Sequence, residues 1–186
     1  MIGFAMCGSY CTHAAALTEL KGLVADGYDI LPIVSENVAT TDTRFGKASE
    51  LLQSLSEICG REAIHDIVSA EPLGPKIELD SLLICPCTGN TLAKMASGIT
   101  DTAVTMAAKA HLRSDRPLVI ALASNDAMSA NLGNLGRLLA RKNVYFVPMK
   151  QDDPVKKPHS LVADFSQLPK TLEDALSGKQ TRKLFI

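Results

Sequence analysis

Short apolar segments that lack polar alternation are the feature that most constrains how this chain can fold. Five such segments lie between helix-like stretches, at residues 2–7, 30–34, 82–85, 118–123 and 144–148. Parallel strands have this pattern when helices bury both faces of their sheet. Strands that alternate with helices are joined by right-handed crossovers. The sequence therefore predicts one three-layer α/β domain over residues 1–186, Rossmann-like or flavodoxin-like, with five or six mostly parallel strands.

The predicted helices have apolar residues at helical spacing, and several are followed by a glycine that favours a helix end. They cover residues 12–26, 48–59, 91–97, 102–112, 132–141 and 169–176. The small side chains of 102–110 would let another chain approach closely, although internal packing explains them equally well. The helix by itself does not decide between these two explanations.

Residues 151–160 interrupt this rhythm. The string QDDPVKKPH at 151–159 holds two prolines and four charged residues, which excludes it from the core. The sequence predicts a functional surface loop, or an arm that reaches a partner subunit. Residues 161–186 are predicted to form a C-terminal helix and tail.

Composition excludes several classes of protein. A net charge of −1 gives no bulk electrostatic attraction to nucleic acid. The longest apolar run, at 118–123, is far shorter than the roughly 20 residues that span a bilayer. The first residues do not resemble a secretory signal, and the five cysteines are then expected to be reduced thiols. We expect a cytoplasmic protein without membrane or nucleic-acid partners.

Small and hydroxyl residues follow the first three strands, at the edge where open α/β sheets bind ligands. They are Gly8, Ser9, Ser35, Asn37, Thr88, Gly89 and Asn90. Helix N-termini at these turns favour an anion, so the pattern indicates a phosphate-bearing ligand with a planar group across the sheet edge. For the turns at Gly8-Ser9 and at 35–37, an ordinary helix cap is the alternative. The sequence lacks both GxGxxG and GxxxxGK, which argues against the dinucleotide and ATP sites of those types.

The segment PCTGNTLAKMASGITD, residues 86–101, resembles the flavin-binding, decarboxylase-like flavoprotein family. Gly8-Ser9 matches that family's phosphate loop, Ser35 its hydroxyl after the second strand, and 123–128 its segment after the fourth. The resemblance implies a Rossmann-like fold, homo-oligomers such as trimers or dodecamers, and FMN as cofactor. It places Ala123 and Asn125 near the flavin ring.

Four further strings resemble a dipicolinate-forming branch of that family: 43–46, 70–76, 124–127 and 151–158. This resemblance implies a sporulation role in making pyridine-2,6-dicarboxylate from a dihydro or hydroxytetrahydro precursor. The chain would be an oxidoreductase subunit acting with a separate dehydrogenase-like A subunit. Two alternatives stay open: a non-catalytic subunit that stabilises the A chain, and a flavin-dependent decarboxylase of another acid.

The chain also departs from the decarboxylases. The stretch 72–80 before the third strand lacks their histidine, and Leu122 replaces a proline after the fourth. Their cysteine-containing substrate clamp is not recognisable after Pro148. These departures argue against cysteine decarboxylation and leave the FMN prediction intact.

A dicarboxylate needs at least two cations, and the sequence offers candidates in two ligand-edge loops. Arg44 can hold a carboxylate with two hydrogen bonds, whereas Lys156 and Lys157 are mobile charges. With Asn125, these residues are predicted to contact substrate or the A subunit. The alternative is a solvated surface on which ion pairs contribute little.

The cysteines at 7, 11, 85 and 87 raise the question of a metal site. Their spacing is not that of common zinc or iron–sulfur motifs. We predict reduced thiols and no metal.

Overall fold

The computed structural model describes residues 1–74 and 76–186, so Pro75 of the 70–76 string lies outside the described residues. Seven strands lie within these ranges: β1 (Ile2–Met6), β2 (Ile30–Val34), β3 (Ser81–Cys87), β4 (Leu118–Ser124), β5 (Val144–Phe146), β6 (Met149–Asp153) and β7 (Lys157–Ala163). The α-helices are α1 (His13–Ala25), α2 (Glu36–Thr40), α3 (Ala48–Cys59), α4 (Ile67–Ala70), α5 (Gly89–Ser97), α6 (Ala103–Leu112), α7 (Leu132–Leu139) and α8 (Leu168–Leu176).

The sheet has a parallel part and an antiparallel part. Strands β2, β1, β3, β4 and β5 pair side by side in parallel, which confirms the predicted α/β sheet. The remaining two strands form an antiparallel hairpin, and β7 of that hairpin pairs with the last residues of β4, Ala123 and Ser124. The sheet therefore has seven strands where five or six were predicted.

Helices cover both faces of the sheet and bury two apolar clusters. Phe4, Leu20 and Leu172 belong to the cluster under α1, α3 and α8. Leu92 and Leu138 belong to the opposite cluster, under α4 to α7. All residues of β1 to β4 are buried, which explains why their sequences show no polar alternation.

The predicted elements differ from the structure mainly at their ends. β3 does not stop before Pro86 but continues to Cys87, because the Pro86 carbonyl accepts a hydrogen bond from the Cys7 N–H at 3.1 Å and a bulge accommodates the ring. The helix predicted from residue 91 begins at Gly89. Helices α2 and α4 were not predicted, since four or five residues are too few to show a helical period.

The segment predicted as a loop at 151–159 is a paired hairpin. Pro154 lies in its turn, where the Asp153 carboxylate accepts hydrogen bonds from the N–H groups of Val155 and Lys156 at 3.1 and 3.0 Å. Such a turn needs no core contact. We call residues 149–163 the arm; its tip is exposed, with Val155 89% accessible.

Helix α6 packs inside the chain. Its small residues, including Ala103, Ala107, Ala108 and Ala110, are buried against the sheet and its neighbours. This supports internal packing as the reason for the small side chains of 102–110. None of the described helices is long and apolar enough to cross a membrane.

Burial of His111 on α6 predicts a loss of stability in acid. Burial lowers the pKa of His111. The hydrogen bond between its Nε2 and the Pro117 carbonyl, at 2.8 Å, raises the pKa but is the smaller effect. The unfolded chain therefore takes up this proton first as the pH falls below about 6.5. Unfolding free energy should fall between pH 7 and 5, with at most about 1.4 kcal/mol per pH unit coming from this group.

Urea unfolding at half-unit pH steps measures the effect. His111→Gln should reduce the slope of unfolding free energy against pH, whereas His65→Gln, at an exposed side chain, should leave it unchanged. Equal slopes for both variants would contradict the explanation.

Candidate functional site

The loops after β1, β2, β3 and β4 meet at one edge of the sheet. The Ser35 N–H donates to the Met6 carbonyl at 3.0 Å, which joins the ends of β1 and β2. The Ser9 hydroxyl donates to the Ala123 carbonyl at 2.8 Å and so connects the β1 loop to the end of β4. The structure thus brings the predicted cofactor residues together around one edge.

The loop after β1 turns sharply at Ser9, whose φ of 66° lies in the left-handed region. Thr12 holds this turn closed, because its N–H and its hydroxyl both donate to the Ser9 carbonyl at 2.8 Å. The Tyr10 hydroxyl donates to the Asn37 carbonyl at 3.1 Å and connects this loop to α2. Because the Ser9 hydroxyl proton is already donated to Ala123, an anion at this half-buried turn would be bound by backbone N–H groups.

Thr88 has a structural task that sequence reasoning did not assign to it. Its Oγ1 accepts a hydrogen bond from the Thr91 N–H at 3.2 Å and caps α5. The Thr88 hydroxyl donates to Thr91 Oγ1 at 3.1 Å, and the Thr91 hydroxyl donates to Cys7 Sγ at 3.2 Å. This chain of hydrogen bonds fixes the start of α5 against β1, so Thr88 orients the helix N-terminus.

Gly89 lies in close contact with the loop after β4. A Cβ at this position would be 2.7 Å from both Asn131 Nδ2 and Asp126 Oδ1, and closer still to Ser124 Oγ. Only glycine fits here without displacing backbone or side chains. The sequence pattern explains this glycine by the close approach of a flat ligand. Packing between α5 and the loop after β4 is a second reason for a glycine at this position.

A polar network behind Gly89 was not predicted, although the motif SNDA contains two of its members. The Ser124 hydroxyl donates to Asp126 Oδ1 at 2.5 Å, and Asn131 Nδ2 donates to Asp126 Oδ2 at 2.9 Å. These two hydrogen bonds hold the pKa of Asp126 below its usual value, so the carboxylate stays ionised. The network fixes the loop that carries Asn125.

Four polar side chains of this edge remain accessible. Asn37, Asn90 and Asn125 are exposed, and the half-buried Ser35 makes no capping bond to α2. The first N–H groups of α5 lie beside Asn90, and helix starts favour phosphate. An anion with hydroxyl groups, such as the phosphate and ribityl chain of FMN, fits this donor set.

The predicted cations are not brought into contact with one another. Arg44 lies in the 41–47 loop, where its guanidinium is 4.8 Å from the centre of the Phe45 ring. Lys157 pairs with Asp152 on the arm, and exposed Lys156 lies next to it at the arm's tip. The pKa of Lys157 is raised mainly by the hydrogen bond to Asp152, with a smaller contribution from Cys11.

Buried thiols and a buried imidazole lie beneath the loop after β1. Burial raises the pKa of Cys7 to about 11 and the pKa values of Cys85 and Cys87 well above their usual range, so these thiols are protonated. Burial also lowers the pKa of His13, whose Nε2 donates to the Cys7 carbonyl at 2.8 Å. Across residues 1–74 and 76–186, no group of three or more His, Cys, Asp or Glu side chains is placed to hold a metal ion.

A cavity of about 280 Å³, here called the α1–α3 cavity, adjoins this edge. Tyr10, Cys11 and His13 line it on the side of the β1 loop. Phe45 and Leu51 line it on the side of the 41–47 loop and α3. Sequence reasoning did not detect it, because its walls come from segments far apart in the chain.

Comparison with known proteins assigns the family. The family model described as Flavoprotein matches residues 2–165. The dipicolinate synthase B subunit of Bacillus subtilis is 45% identical over 185 residues, which cover 100% of this chain and 92% of that protein. Flavin prenyltransferase UbiX of Thermoplasma acidophilum is 26% identical over 146 residues, covering 74% of this chain and 80% of its own.

Solved structures agree with this assignment. The crystal structure of the dipicolinate synthase B subunit from Bacillus halodurans is similar with a TM-score of 0.91 and 43% identity, over 100% of this chain and 95% of that one. The FMN-dependent cysteine decarboxylase SpaF shares the fold, with a TM-score of 0.66 and 23% identity over 94% of this chain and 95% of its own. The resemblance expected from residues 86–101 is confirmed, and the chain belongs to the flavoprotein family.

Proposed function

We propose that this chain binds FMN at the edge formed by the loops after β1 to β4. The observation that carries the proposal is the convergence of four loops at one edge, joined by the Ser9–Ala123 hydrogen bond at 2.8 Å. The proposed contacts comprise eight residues: Gly8, Ser9, Ser35, Asn37, Thr88, Gly89, Asn90 and Ala123. Membership of the flavoprotein family and the fold shared with FMN-dependent decarboxylases support the choice of cofactor.

Each proposed contact follows from its place in the structure. The turn at Gly8-Ser9 and the capped start of α5 present N–H groups to the phosphate. The free Ser35 hydroxyl and the Asn90 amide suit the ribityl hydroxyls. Bound FMN would supply a two-electron acceptor, and Asn125 at the end of β4 would orient the ring of the substrate beside it.

We further propose that the chain acts as a dipicolinate synthase B subunit. Identity of 45% over the whole chain with the Bacillus subtilis protein carries this proposal. It would act as an oxidoreductase subunit with an A subunit, in the cytoplasm and during sporulation. It would help convert a dihydro or hydroxytetrahydro precursor into pyridine-2,6-dicarboxylate. We also propose a homo-oligomer, in line with the dodecameric UbiX-like decarboxylase of Escherichia coli that shares the fold.

A second candidate function is a non-catalytic subunit that stabilises the A chain. It is favoured by the separation of the predicted cations, because Arg44 and Lys157 lie on different loops, and Lys157 is already paired with Asp152. The arm, with Val155 exposed at its tip, is the surface that such a role would use. A flavin-dependent decarboxylase of another acid is a third, weaker candidate.

Reconstitution of the two purified subunits separates these candidates. Diacid formation should require the A subunit, this chain and FMN together. If the diacid forms at the same rate when FMN is omitted, or when this chain is supplied free of flavin, the result would favour the non-catalytic subunit. Carbon dioxide release from this chain and FMN alone would favour the decarboxylase.

Gly89→Ala tests the cofactor site. The added methyl group would displace the side chains of Ser124, Asp126 or Asn131, at a cost of about 1–3 kcal/mol in unfolding free energy. We expect FMN affinity, followed by quenching of flavin fluorescence, to fall at least tenfold because α5 moves. Gly133→Ala is the control, since a Cβ there meets nothing within 4 Å, and it should leave FMN affinity unchanged. Normal FMN binding by Gly89→Ala would remove the α5 start from the proposed site.

Arg44→Ala and the double variant Lys156→Ala/Lys157→Ala test the proposed cations. Loss of a charged hydrogen bond to substrate costs about 1.5–3 kcal/mol, so Arg44→Ala should lower kcat/KM for diacid formation at least tenfold. The double variant should weaken binding of the A subunit, measured by light scattering. Lys142→Ala, at a lysine 79% exposed next to β5, is the control for both assays. If both variants match this control while FMN stays bound, these cations have no role in substrate or A-subunit contact.

A further inference from the structure

The base of the arm, residues 159–163, adjoins the edge at which the proposed FMN contacts meet. Strand β7 runs antiparallel to the end of β4, where Leu161 is paired with Ser124. The Met128 N–H donates to the His159 carbonyl at 3.0 Å, which holds the loop after β4 against the same segment. The base of the arm is therefore fixed beside that loop by backbone pairing on both sides of one residue, which is Ser160.

Ser160 is buried, but its hydroxyl makes no hydrogen bond to any of the described residues. Only 3% of the residue is exposed. The other buried polar side chains within residues 1–74 and 76–186 all take part in hydrogen bonds. They are His13, Ser81, Thr91, Thr105, His111, Ser124, Asn131, Thr171 and Thr181. The Ser160 hydroxyl is therefore the exception among them.

This hydroxyl must open onto space that a ligand can reach. No fully covered side-chain nitrogen or oxygen of the described residues lacks a partner, so the Ser160 oxygen keeps a small accessible area although its residue is buried. A hydroxyl that leaves bulk water without gaining a partner is unfavourable, and a bound ligand that accepts its proton would remove that cost. The Ser160 hydroxyl is thus available to a ligand at this edge.

The proposed cofactor contacts nearest to Ser160 come from the ends of β1 and β4. Ala123 precedes Ser124 on β4, and its carbonyl accepts the hydrogen bond from the Ser9 hydroxyl at 2.8 Å. The loop after β1 therefore reaches the strand that pairs with β7. Neighbouring strands lie about 4.8 Å apart. A ligand in contact with Ala123 consequently has the base of the arm as its next neighbour beyond β4.

We propose that Ser160 is a further FMN-binding residue and that the base of the arm closes the cofactor site beyond β4. A serine hydroxyl donates one hydrogen bond, and FMN offers oxygen acceptors on its phosphate, its ribityl chain and its ring. The hydroxyl of Ser160 donates to one of these oxygens. The inference rests on the proposed FMN site and deepens it, because the contacts proposed above include no residue of the arm.

Ser160→Ala tests the proposal by FMN titration of the full chain, followed by quenching of flavin fluorescence. Loss of one hydrogen bond of ordinary net strength should weaken FMN binding about three- to tenfold. Ser166→Ala is the matched control, because it removes an exposed serine hydroxyl just beyond the arm that donates to Asp164 at 2.7 Å. The control should bind FMN as the unmodified chain does. Equal affinities of the two variants would overturn the proposal.

The stability of the flavin-free protein separates a binding role from a structural one. Because the Ser160 hydroxyl has no partner among the described residues, Ser160→Ala should not lower the midpoint of urea unfolding in the absence of FMN. Added FMN should raise this midpoint less in Ser160→Ala than in Ser166→Ala, since weaker binding gives less stabilisation. A Ser160→Ala chain that is destabilised or unfolded without FMN would assign the hydroxyl to packing of the arm and overturn the proposal.

Two further ligands identify the oxygen that accepts the hydrogen bond. Riboflavin lacks the phosphate, so equal losses of FMN and riboflavin affinity in Ser160→Ala would place the acceptor on the ribityl chain or the ring. A loss for FMN alone, with weaker competition by inorganic phosphate, would place the acceptor on the phosphate. Either pattern supports the proposal, whereas unchanged affinity for both flavins contradicts it.

The outcome is separable from that of the proposed function. If the unmodified chain binds FMN and Ser160→Ala binds it equally well, the FMN site stands and Ser160 is no part of it. If the unmodified, folded chain binds no FMN, both proposals are rejected. Weaker FMN binding by Ser160→Ala, without diacid formation in the reconstituted mixture, would support the role of Ser160 and reject the synthase role.

Discussion

Contact between the start of α5 and the end of β4 is the constraint on which the site depends. Gly89 packs directly against Ser124, Asp126 and Asn131, and the ionised Asp126 accepts hydrogen bonds from the other two. Because a buried polar group is costly when unpaired, these hydrogen bonds hold the three side chains together. The network holds the start of α5 and the loop bearing Asn125 at a set separation, so a ligand at the edge meets prearranged donors.

The polar side chains near this edge divide into two groups by what they already bind. Thr88 and Thr12 use their hydroxyls to hold the turns, and Ser9 joins the β1 loop to β4. Ser35 and Asn90 are left accessible for a ligand. The edge therefore carries more polar side chains than a ligand would touch, because the loops themselves must be fixed before a ligand arrives.

The positively charged side chains near the proposed FMN site lie on separate loops, and their positions bear on which reactions the site could support. Arg44 stacks on Phe45, which lines the α1–α3 cavity, while Lys157 is paired with Asp152 on the arm. Exposed ion pairs contribute little to stability, so these side chains are free to exchange partners when a carboxylate or a subunit approaches. The predicted cations thus lie on two separate segments, the 41–47 loop and the arm.

The local sequence pattern alone predicted the α/β class, the parallel strands and the family. Each apolar strand segment and the 86–101 motif is contained in one short stretch of sequence, so each can be recognised without knowledge of the fold. The same pattern also predicted that the loops after the first four strands meet at one edge, because parallel strands end together. Tertiary structure decided the rest. The hairpin at 149–163, the continuation of β3 through Pro86 and the α1–α3 cavity all arise from contacts between distant segments. No local period records such contacts. The positioning tasks of Thr88 and Asp126 are a different case, because their hydrogen-bond partners lie within five residues along the chain and a local cap or turn motif could have indicated them.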